Sequence, residues 1–281
     1  MLRISFLFLN YKSVEYIESN VKFIDDNVGS DHDFGCVVVN NDEGQEISIA
    51  TQNIRLKVIE AGCNSGYARG NNLGIDFCRN EGEDFCVVCN PDIKFDEKFL
   101  VELNSFLHRF SLGDEYNDVC AISIGQEALV PYYNKPNLFQ YVFPFFVRRK
   151  DYASHRRVNS DEFVSDVYRF HGACFIIPLA NISEWEVFFR QDTFLYMEED
   201  LLSLKAHEKC AKIVHSHSLS VTHIGGVSTK RSIPWKRYFY YYDGLYIIFR
   251  TYFGCSNLKA SLYSFSGAVV RFFLELRNVL K

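Results

Sequence analysis

The first 125 residues alternate between short apolar runs and segments in which apolar positions recur with a helical period. Continuous apolar runs, typical of strands covered on both faces, predict strands at 4–9, 34–39, 54–59, 85–89 and 119–124. The helical segments predict a helix that begins after Ser13 as its N-cap, and further helices over 67–80 and 96–110. This alternation predicts an α/β, Rossmann-like fold: a mostly parallel sheet flanked by helices.

The second half of the chain is less regular until its end. Residues 126–165 show no clear period, and patterning returns as a strand at 173–177, a helix at 199–209 and a strand at 219–224. After Trp235, apolar side chains recur every three or four residues, with a break at 254–257, which predicts two amphipathic helices. We therefore expect an α/β domain over residues 1–229 and a helical, aromatic-rich extension over residues 230–281.

Composition narrows the possible classes of protein. Hydrophobic residues make up 48% and charged residues 23%, as in folded globular proteins, and the net charge of −5 argues against a nucleic-acid partner. No apolar run approaches the roughly 18 residues of a membrane-spanning helix, and the N-terminus has the pattern of a strand and not of a signal peptide. Most of the nine cysteines stand in apolar stretches, which is typical of reduced thiols. We expect a cytoplasmic protein.

Ligands of open parallel sheets bind beyond the carboxyl ends of the strands, so the residues after each predicted strand are the candidate site. They are polar, and among them only Arg69 is basic; the set comprises Asn10, Asn40, Asp42, the loop 63–72, Asn90 and Asp92. This pattern favours a neutral, hydrogen-bonded ligand together with an anion that is held through a metal ion.

Two of these segments also have structural explanations. The glycines of the loop, Gly62, Gly66 and Gly70, are four residues apart and match neither a dinucleotide fingerprint nor a P-loop, so a plain glycine-rich turn remains an alternative. Pro91 ends a strand and directs Asp92 outward, where a carboxylate can ligate Mg²⁺ or Mn²⁺ that holds a diphosphate. Taken alone, the segment 90–92 is more often an ordinary turn.

Glu198, Glu199 and Asp200 open a predicted helix. Acidic residues in a first helical turn are favoured by the helix dipole, but a carboxylate here could also be a general base, and mutual repulsion raises the proton affinity of one of them. A zinc site at His215 and His217 is less favoured, because no further ligand stands at metal-binding spacing. A redox or zinc role for the cysteines at 86 and 89 is disfavoured, because both stand in a predicted apolar strand.

Together these motifs resemble family 2 glycosyltransferases of the GT-A fold, especially bacterial rhamnosyltransferase-like enzymes that build surface polysaccharides such as O-antigen. The resemblance runs from Ile4 to about Gly226. It rests on the order and spacing of Asn10-Tyr11, residues 64–72, Asn90-Pro91-Asp92, Gly172-Ala173, residues 194–200 and residues 223–226.

The resemblance implies roles for individual residues. Asn10, Asn40 and Asn64 would border the nucleotide, Gly70 and Asn71 would lie close to it, and Asn90 would belong to the donor site. Asp92 matches the last acid of a DxD-like motif that holds the metal and the diphosphate, and His223 matches a late histidine that can reach them. Asp200 matches the catalytic base, with Glu199 beside it.

Three positions depart from the family pattern. Asn40 stands where an acidic residue is usual, which puts base recognition in doubt. Asn90 replaces the first acid of the DxD motif and makes metal dependence less certain. Lys205 replaces an arginine, with loss of bidentate geometry.

The implied activity is an inverting transfer. A hexose or deoxyhexose would move from a UDP- or dTDP-sugar to a hydroxyl of a saccharide or lipid-linked acceptor, with Asp200 as base and Mg²⁺ or Mn²⁺ on Asp92. Alternatives are a nucleotide-sugar-binding subunit without catalysis and a nucleotidyltransferase. The latter is disfavoured, because no glycine-rich basic loop follows the first strand.

The extension over 230–281 has two interpretations. Aromatic stripes at helical spacing are more often core. However, Lys230, Arg231, Lys236 and Arg237 flank the first helix, a pattern typical of peripheral contact with the inner face of a cell membrane. The basic cluster at 148–157 is usually a solvated loop.

Overall fold

The structure of the protein is a computed structural model that describes residues 1–29, 32–126, 131, 134–143, 163–225 and 235–279, with side chains to residue 276. The basic cluster at 148–157 and the pair Lys230 and Arg231, for which the sequence suggested surface roles, lie outside these ranges.

The first four strands form a parallel sheet in the order β3-β2-β1-β4. They are β1 (Arg3–Asn10), β2 (Asp33–Asn40), β3 (Arg55–Glu60) and β4 (Phe85–Cys89). The helices between and after them are α1 (Val14–Asn27), α2 (Tyr67–Asn80) and α3 (Glu97–Ser111). All seven lie where the apolar patterns predict them, so the carboxyl ends of four strands meet at one edge. Ser13 precedes α1 as expected, but its side chain makes no capping bond to the helix.

The other strands extend this sheet on the side of β4. They are β5 (Ile93–Lys94), β6 (Val119–Gln126), β7 (Val164–Val167), β8 (Cys174–Pro178) and β9 (Lys212–His223). β8 lies antiparallel between β4 and β6, β9 runs parallel to β6, and the short strands β5 and β7 pair antiparallel with β9. The predicted strand at 219–224 was too short: β9 begins at Lys212, because the polar run 215–218 conceals its pattern.

Two apolar layers cover the sheet. One contains α1 and α3. The other contains α2, the segment 179–189 and α5 (Glu198–Glu208). The helices α4 (Leu138–Val142), α6 (Lys236–Thr251) and α7 (Asn257–Val279) form a third cluster against Met197, Leu201 and Leu204.

The two terminal helices are present as predicted, but their apolar stripes are not simply core. Leu245, Ile248 and Phe249 are fully buried, whereas Trp235 and Phe239 of the predicted α6 stripe are exposed. The buried residues of α6 all lie in its second half, from Gly244 to Phe249. Within the described ranges, no helix combines the length and apolar character that crossing a bilayer requires.

Candidate functional site

The carboxyl ends of β1 and β2 are joined by a buried pair of amides. Asn10 Nδ2 donates to Asn40 Oδ1 at 2.9 Å, and Asn10 Oδ1 accepts from the Ser13 backbone N–H at 3.1 Å. Asn40 Nδ2 donates to Glu60 Oε2, at the end of β3, at 2.9 Å. The structure therefore brings Asn10 and Asn40 together, and Glu60 places a carboxylate beside Asn40, where the resemblance expects an acid.

Asn41 links this strand end to the glycine-rich loop, a role that the sequence did not reveal. Its Nδ2 donates to Asn64 Oδ1 at 3.0 Å, and its Oδ1 accepts from Ser65 N at 3.0 Å. Asn64 Oδ1 also accepts from Gly66 N at 3.1 Å. Because Asn41 stands in a run of turn-forming residues after β2, only its position next to Asn40 could have indicated this role.

Gly66 allows a second segment to approach the loop. Its φ is +85°, and a Cβ at this position would lie 2.3 Å from the carbonyl oxygen of Phe194. That oxygen accepts from Tyr67 N at 2.9 Å. The approach of residue 194 brings the acidic turn at 198–200 towards the strand ends.

Gly70 and Asn71 lie on the buried side of α2. A Cβ on Gly70 would lie 2.4 Å from Leu9 Cδ1, so this glycine allows the helix to approach β1 closely. Asn71 is buried, and its Nδ2 donates to the Tyr67 carbonyl at 3.0 Å. The structure gives both residues a part in packing, and their closeness to a nucleotide stays a prediction.

The turn after β4 joins Asp92 to His223, at the far end of β9. Asn90 N donates to the Ala173 carbonyl at 2.7 Å, and Ile224 N donates to the Asp92 carbonyl at 3.0 Å. These bonds and the β5–β9 pairing place His223 Nε2 3.3 Å from Asp92 Oδ1. The two residues predicted to hold a metal and a diphosphate are therefore in direct contact.

This pair fits a divalent cation that is shared with a substrate. A carboxylate oxygen and an imidazole nitrogen are suitable ligands for Mn²⁺, and Mg²⁺ usually takes one or two carboxylates together with substrate phosphates and water. In the part of the chain that the structure describes, no three His, Cys, Asp or Glu residues cluster as a complete metal site. Asp92 and His223 would thus supply part of a coordination shell.

The acidic turn begins with an unusual backbone. Tyr196 and Met197 have φ values of 73° and 69°, the left-handed region that non-glycine residues seldom adopt. Each such residue costs on the order of 1–3 kcal/mol and persists only where surrounding contacts impose it. Here Met197 packs against Gly244 of α6, where a Cβ would lie 2.7 Å from Met197 Cβ. This backbone sets the direction in which each carboxylate of the first turn of α5 points.

The three carboxylates have different environments. Glu198 is buried, and burial together with the charge of Glu199 raises its pKa to about 8. Asp200 is buried and accepts through Oδ2 from Arg169, whose side chain is 20% exposed. The Glu199 residue is partly exposed, whereas its carboxyl group is buried, and this burial raises its pKa. Of the three residues, Glu199 is the one that keeps part of its surface accessible.

Gly172 connects Glu199 to the other parts of the site. Its N–H donates to Glu199 Oε1 at 3.1 Å, and its carbonyl accepts from the Tyr67 hydroxyl at 2.9 Å. A Cβ on Gly172 would lie 2.3 Å from Glu199 Oε1, so a larger residue would displace the carboxylate. The Ala173 carbonyl accepts a hydrogen bond from Asn90 N. The segment 172–173 therefore lies between the acidic turn and the turn that carries Asp92.

Two cations near α5, Arg169 and Lys205, both bind protein groups. Arg169 pairs with Asp200, and no motif in the sequence indicated it. Lys205 donates to the carbonyls of Val187 and Phe188, and burial lowers its pKa to about 8. Lys205 thus fixes a loop, which does not require the bidentate geometry of an arginine.

The less favoured zinc and redox hypotheses gain no further support. The rings of His215 and His217 are 5.8 Å apart, and His215 Nδ1 lies 3.1 Å from Ser123 Oγ. Cys89 Sγ lies 3.6 Å from Cys174 Sγ and is buried.

Comparison with known proteins adds one short sequence match. No protein-family model matches the chain. The low-salt glycan biosynthesis hexosyltransferase Agl10 of Haloferax volcanii is 30% identical over 101 residues, which are 36% of this chain and 31% of the relative. The match thus spans about a third of the length of that relative.

Solved structures match over nearly the whole chain. S. aureus TarS 1–349 in complex with UDP-GlcNAc has a TM-score of 0.52 at 15% identity, over 94% of this chain and 70% of that one. The mannosyltransferase PcManGT from Pyrobaculum calidifontis, in complex with GDP-Man and Mn²⁺, has a TM-score of 0.54 at 13% identity, over 99% of this chain and 81% of that one. At these identities the likeness confirms the predicted GT-A-type α/β fold.

Proposed function

We propose that the chain is an inverting glycosyltransferase that moves a sugar from a nucleoside-diphosphate sugar to an acceptor hydroxyl. One observation carries the proposal: the Asp92–His223 pair and Glu199 lie on either side of the segment 172–173, at the edge where the parallel strands end. The Asp92–His223 pair, which suits the diphosphate, and the Glu199 carboxylate, which suits the acceptor hydroxyl, therefore border the same part of the sheet edge. The nucleotide sugars bound to TarS and PcManGT support this reading.

The donor would bind with its diphosphate at Asp92 and His223 and its nucleoside along the strand ends. Asn10, Asn40 and Asn64 would border the base and ribose, with Asn41 holding the loop in place. When bound to Asp92 and His223, Mg²⁺ or Mn²⁺ would supply positive charge for the departing diphosphate. The neighbours were solved with UDP- and GDP-sugars, so GDP joins UDP and dTDP among the nucleotides to test.

We assign the general base to Glu199, although the sequence resemblance favours Asp200. A base must reach the acceptor hydroxyl, and Asp200 is buried with one oxygen bound to Arg169. The Glu199 residue is less buried than Asp200, and the raised pKa of its carboxyl makes it a stronger base than an ordinary glutamate. Asp200 would instead act with Arg169 as a positioning pair for the first turn of α5.

The chemistry is a single displacement. Glu199 takes the proton of the acceptor hydroxyl while that oxygen forms a bond to the anomeric carbon of the sugar. The bond from that carbon to the diphosphate breaks on the opposite face, and its electron pair leaves with the nucleoside diphosphate. One displacement inverts the configuration at the anomeric carbon.

We place the reaction in surface-polysaccharide or glycan synthesis, with a hexose or deoxyhexose as the sugar and a saccharide or lipid-linked saccharide as acceptor. The name of the Haloferax relative, a glycan biosynthesis hexosyltransferase, supports the glycan context and the hexose. A rhamnose donor rests on the sequence resemblance alone.

The test is donor consumption by the purified chain. Radiolabelled UDP-, dTDP- and GDP-sugars are incubated with and without Mn²⁺, and nucleoside diphosphate release and glycosylated product are measured, with E199Q as control. We expect release that depends on the cation and is lost in E199Q. Donor that raises the melting temperature but is never consumed would indicate a binding subunit. Pyrophosphate release in a parallel incubation with nucleoside triphosphates would indicate a nucleotidyltransferase.

A further inference from the structure

The helix α7 turns its large apolar side chains away from the protein. Between 42% and 71% of each of these residues is exposed, and we call them the α7 stripe: Leu258, Leu262, Phe265, Phe272, Phe273 and Leu276. The opposite, buried side of the helix carries small residues: Ala260, Ser264, Gly267 and Ala268. A helix that merely completes the core would have the reverse arrangement.

Specific contacts hold α7 in this orientation. A Cβ on Gly267 would lie 2.6 Å from Leu245 Cδ1, so the small face permits close approach to α6. Glu275 Oε2 accepts from Arg237 at 3.0 Å and from the Tyr238 hydroxyl at 2.8 Å. Rotating the helix to bury the stripe would break these bonds and force bulky side chains into the close contact.

The exposed apolar surface continues onto the start of α6. Tyr238 packs its ring against Phe272 with 5.5 Å between centroids. On the same helix, Trp235 and Phe239 are 56% and 60% exposed and contact each other edge to face. Contiguous apolar patches of this kind are rare on monomeric soluble proteins and mark interaction sites.

The charge of this part of the chain indicates what covers it. Residues 235–281 hold seven Lys and Arg against two acidic residues, although the whole chain has a net charge of −5. Lys236 and Lys259 are exposed next to the apolar side chains, and Glu275 is neutralised by Arg237 and Arg271. A second copy of this surface would bring like charges together, whereas an anionic lipid surface complements them.

The geometry points to a lipid-docking surface: the α7 stripe, together with Trp235 and Phe239, lies in the interface of a bilayer that contains anionic lipids. Amphipathic helices bind such interfaces through their apolar face and through basic residues at its border, and Trp and Tyr favour the headgroup level. Each basic residue near an anionic surface strengthens binding about fivefold.

Docking here would also orient the candidate site. α6 packs against Leu201 and Leu204 of α5, the helix that carries Glu199. Trp235 and Phe239 of the surface stand at the start of α6, the helix that contacts α5, a suitable position for an acceptor attached to a lipid. This last point rests on the proposed transfer activity, but vesicle binding does not.

The test uses the full chain and two kinds of vesicle: phosphatidylcholine mixed with phosphatidylglycerol, and phosphatidylcholine alone. The stripe variant is L262Q/F265Q, and the matched control is V101Q/L112Q, since Val101 and Leu112 are 61% and 86% exposed near α3. We expect co-sedimentation of the wild type with the anionic vesicles, weakened by salt. The stripe variant should bind at least about tenfold more weakly, and the control like the wild type.

Circular dichroism and thermal melting check that each variant is folded. The inference is overturned if the folded wild type binds neither kind of vesicle, or if the stripe variant binds as tightly as the control. It is also overturned if the wild type forms a dimer that L262Q/F265Q makes monomeric while vesicle binding is absent, because the stripe then joins two copies. Donor consumption, measured separately without vesicles, keeps this result independent of the transfer activity.

Discussion

Replacing Glu199 by Gln and Asp200 by Asn should separate catalysis from stability within one helical turn. Glu199→Gln keeps a side-chain oxygen that can accept from Gly172 N–H but removes the group that takes up a proton. Asp200→Asn keeps the shape of the side chain but removes the carboxylate charge that pairs with Arg169. The two changes are alike in size, so differences in their effects report the chemistry of each position.

The expected magnitudes differ in kind. Removing a general base costs about 10²–10⁴-fold in turnover, whereas losing the charge of the half-buried Glu199 changes the free energy of unfolding by less than about 1 kcal/mol. Breaking a buried ion pair costs about 3–5 kcal/mol. Because the Arg169 side chain is 20% exposed, we expect roughly 2–3 kcal/mol for Asp200→Asn, or a melting temperature lower by about 5–10 °C.

The pH dependence gives a second readout. Burial raises the pKa of Glu199, and a carboxyl group can act as a base only above its pKa. As the pH is lowered, the turnover of the wild type should therefore begin to fall at a higher pH than it would for a glutamate with the ordinary pKa of 4.5. This acidic limb should be absent from the residual activity of Glu199→Gln.

The assay combines turnover of the donor found in the screen, measured against pH, with thermal melting of each variant. Glu198→Gln serves as a control for changing a carboxylate in the same turn. If Glu199→Gln turns over donor as fast as the wild type, Glu199 is not the base. If Asp200→Asn melts like the wild type, binds donor and is inactive, the base is Asp200 and the argument from burial is wrong.

Three further predictions concern single side chains. The raised pKa of Glu198 means that the folded chain holds this proton more tightly than the unfolded chain. The free energy of unfolding should therefore fall as the pH rises from 4.5 to about 8, by up to ~1.4 kcal/mol per pH unit. Thermal melting of Glu198→Gln across this range should lack that fall. Gly66→Ala, which meets the Phe194 carbonyl, should lose at least about 3 kcal/mol in chemical denaturation, whereas Gly62→Ala, with positive φ but open space, should lose about 1 kcal/mol. Asp92→Asn should weaken the Mn²⁺-dependent part of donor binding at least tenfold in titration calorimetry, and an unchanged response to Mn²⁺ would exclude Asp92 as a ligand.

Much of the candidate site follows from local patterns. The apolar runs locate the parallel strands, and parallel strands end at one edge, so the residues after them were expected to meet. The Asn10–Asn40 contact follows from this rule. The Asp92–His223 contact required the resemblance as well, because the β5–β9 pairing that joins them involves only two residues of β5.

Other parts could not be read from the chain. β7 is four residues long, and the polar run 215–218 interrupts β9, so neither has a pattern that stands out from a loop. Arg169 precedes β8 in an unpatterned stretch, and its pairing with Asp200 depends on how α5 lies against the sheet. Asn41 was indistinguishable from other turn residues until its partner Asn64 was located.

The sequence by itself determined the first four strands and the helices between and after them, the edge at which polar groups gather and the amphipathic character of the last two helices. These properties depend on apolar periodicity and on turn residues, which are local. The tertiary structure decided which of residues 198–200 keeps an accessible surface and which face of α7 is exposed. Both depend on close contacts between distant segments, at Gly172 and Glu199 and at Gly267 and Leu245, where the space available to a side chain is set by a neighbour that periodicity cannot identify.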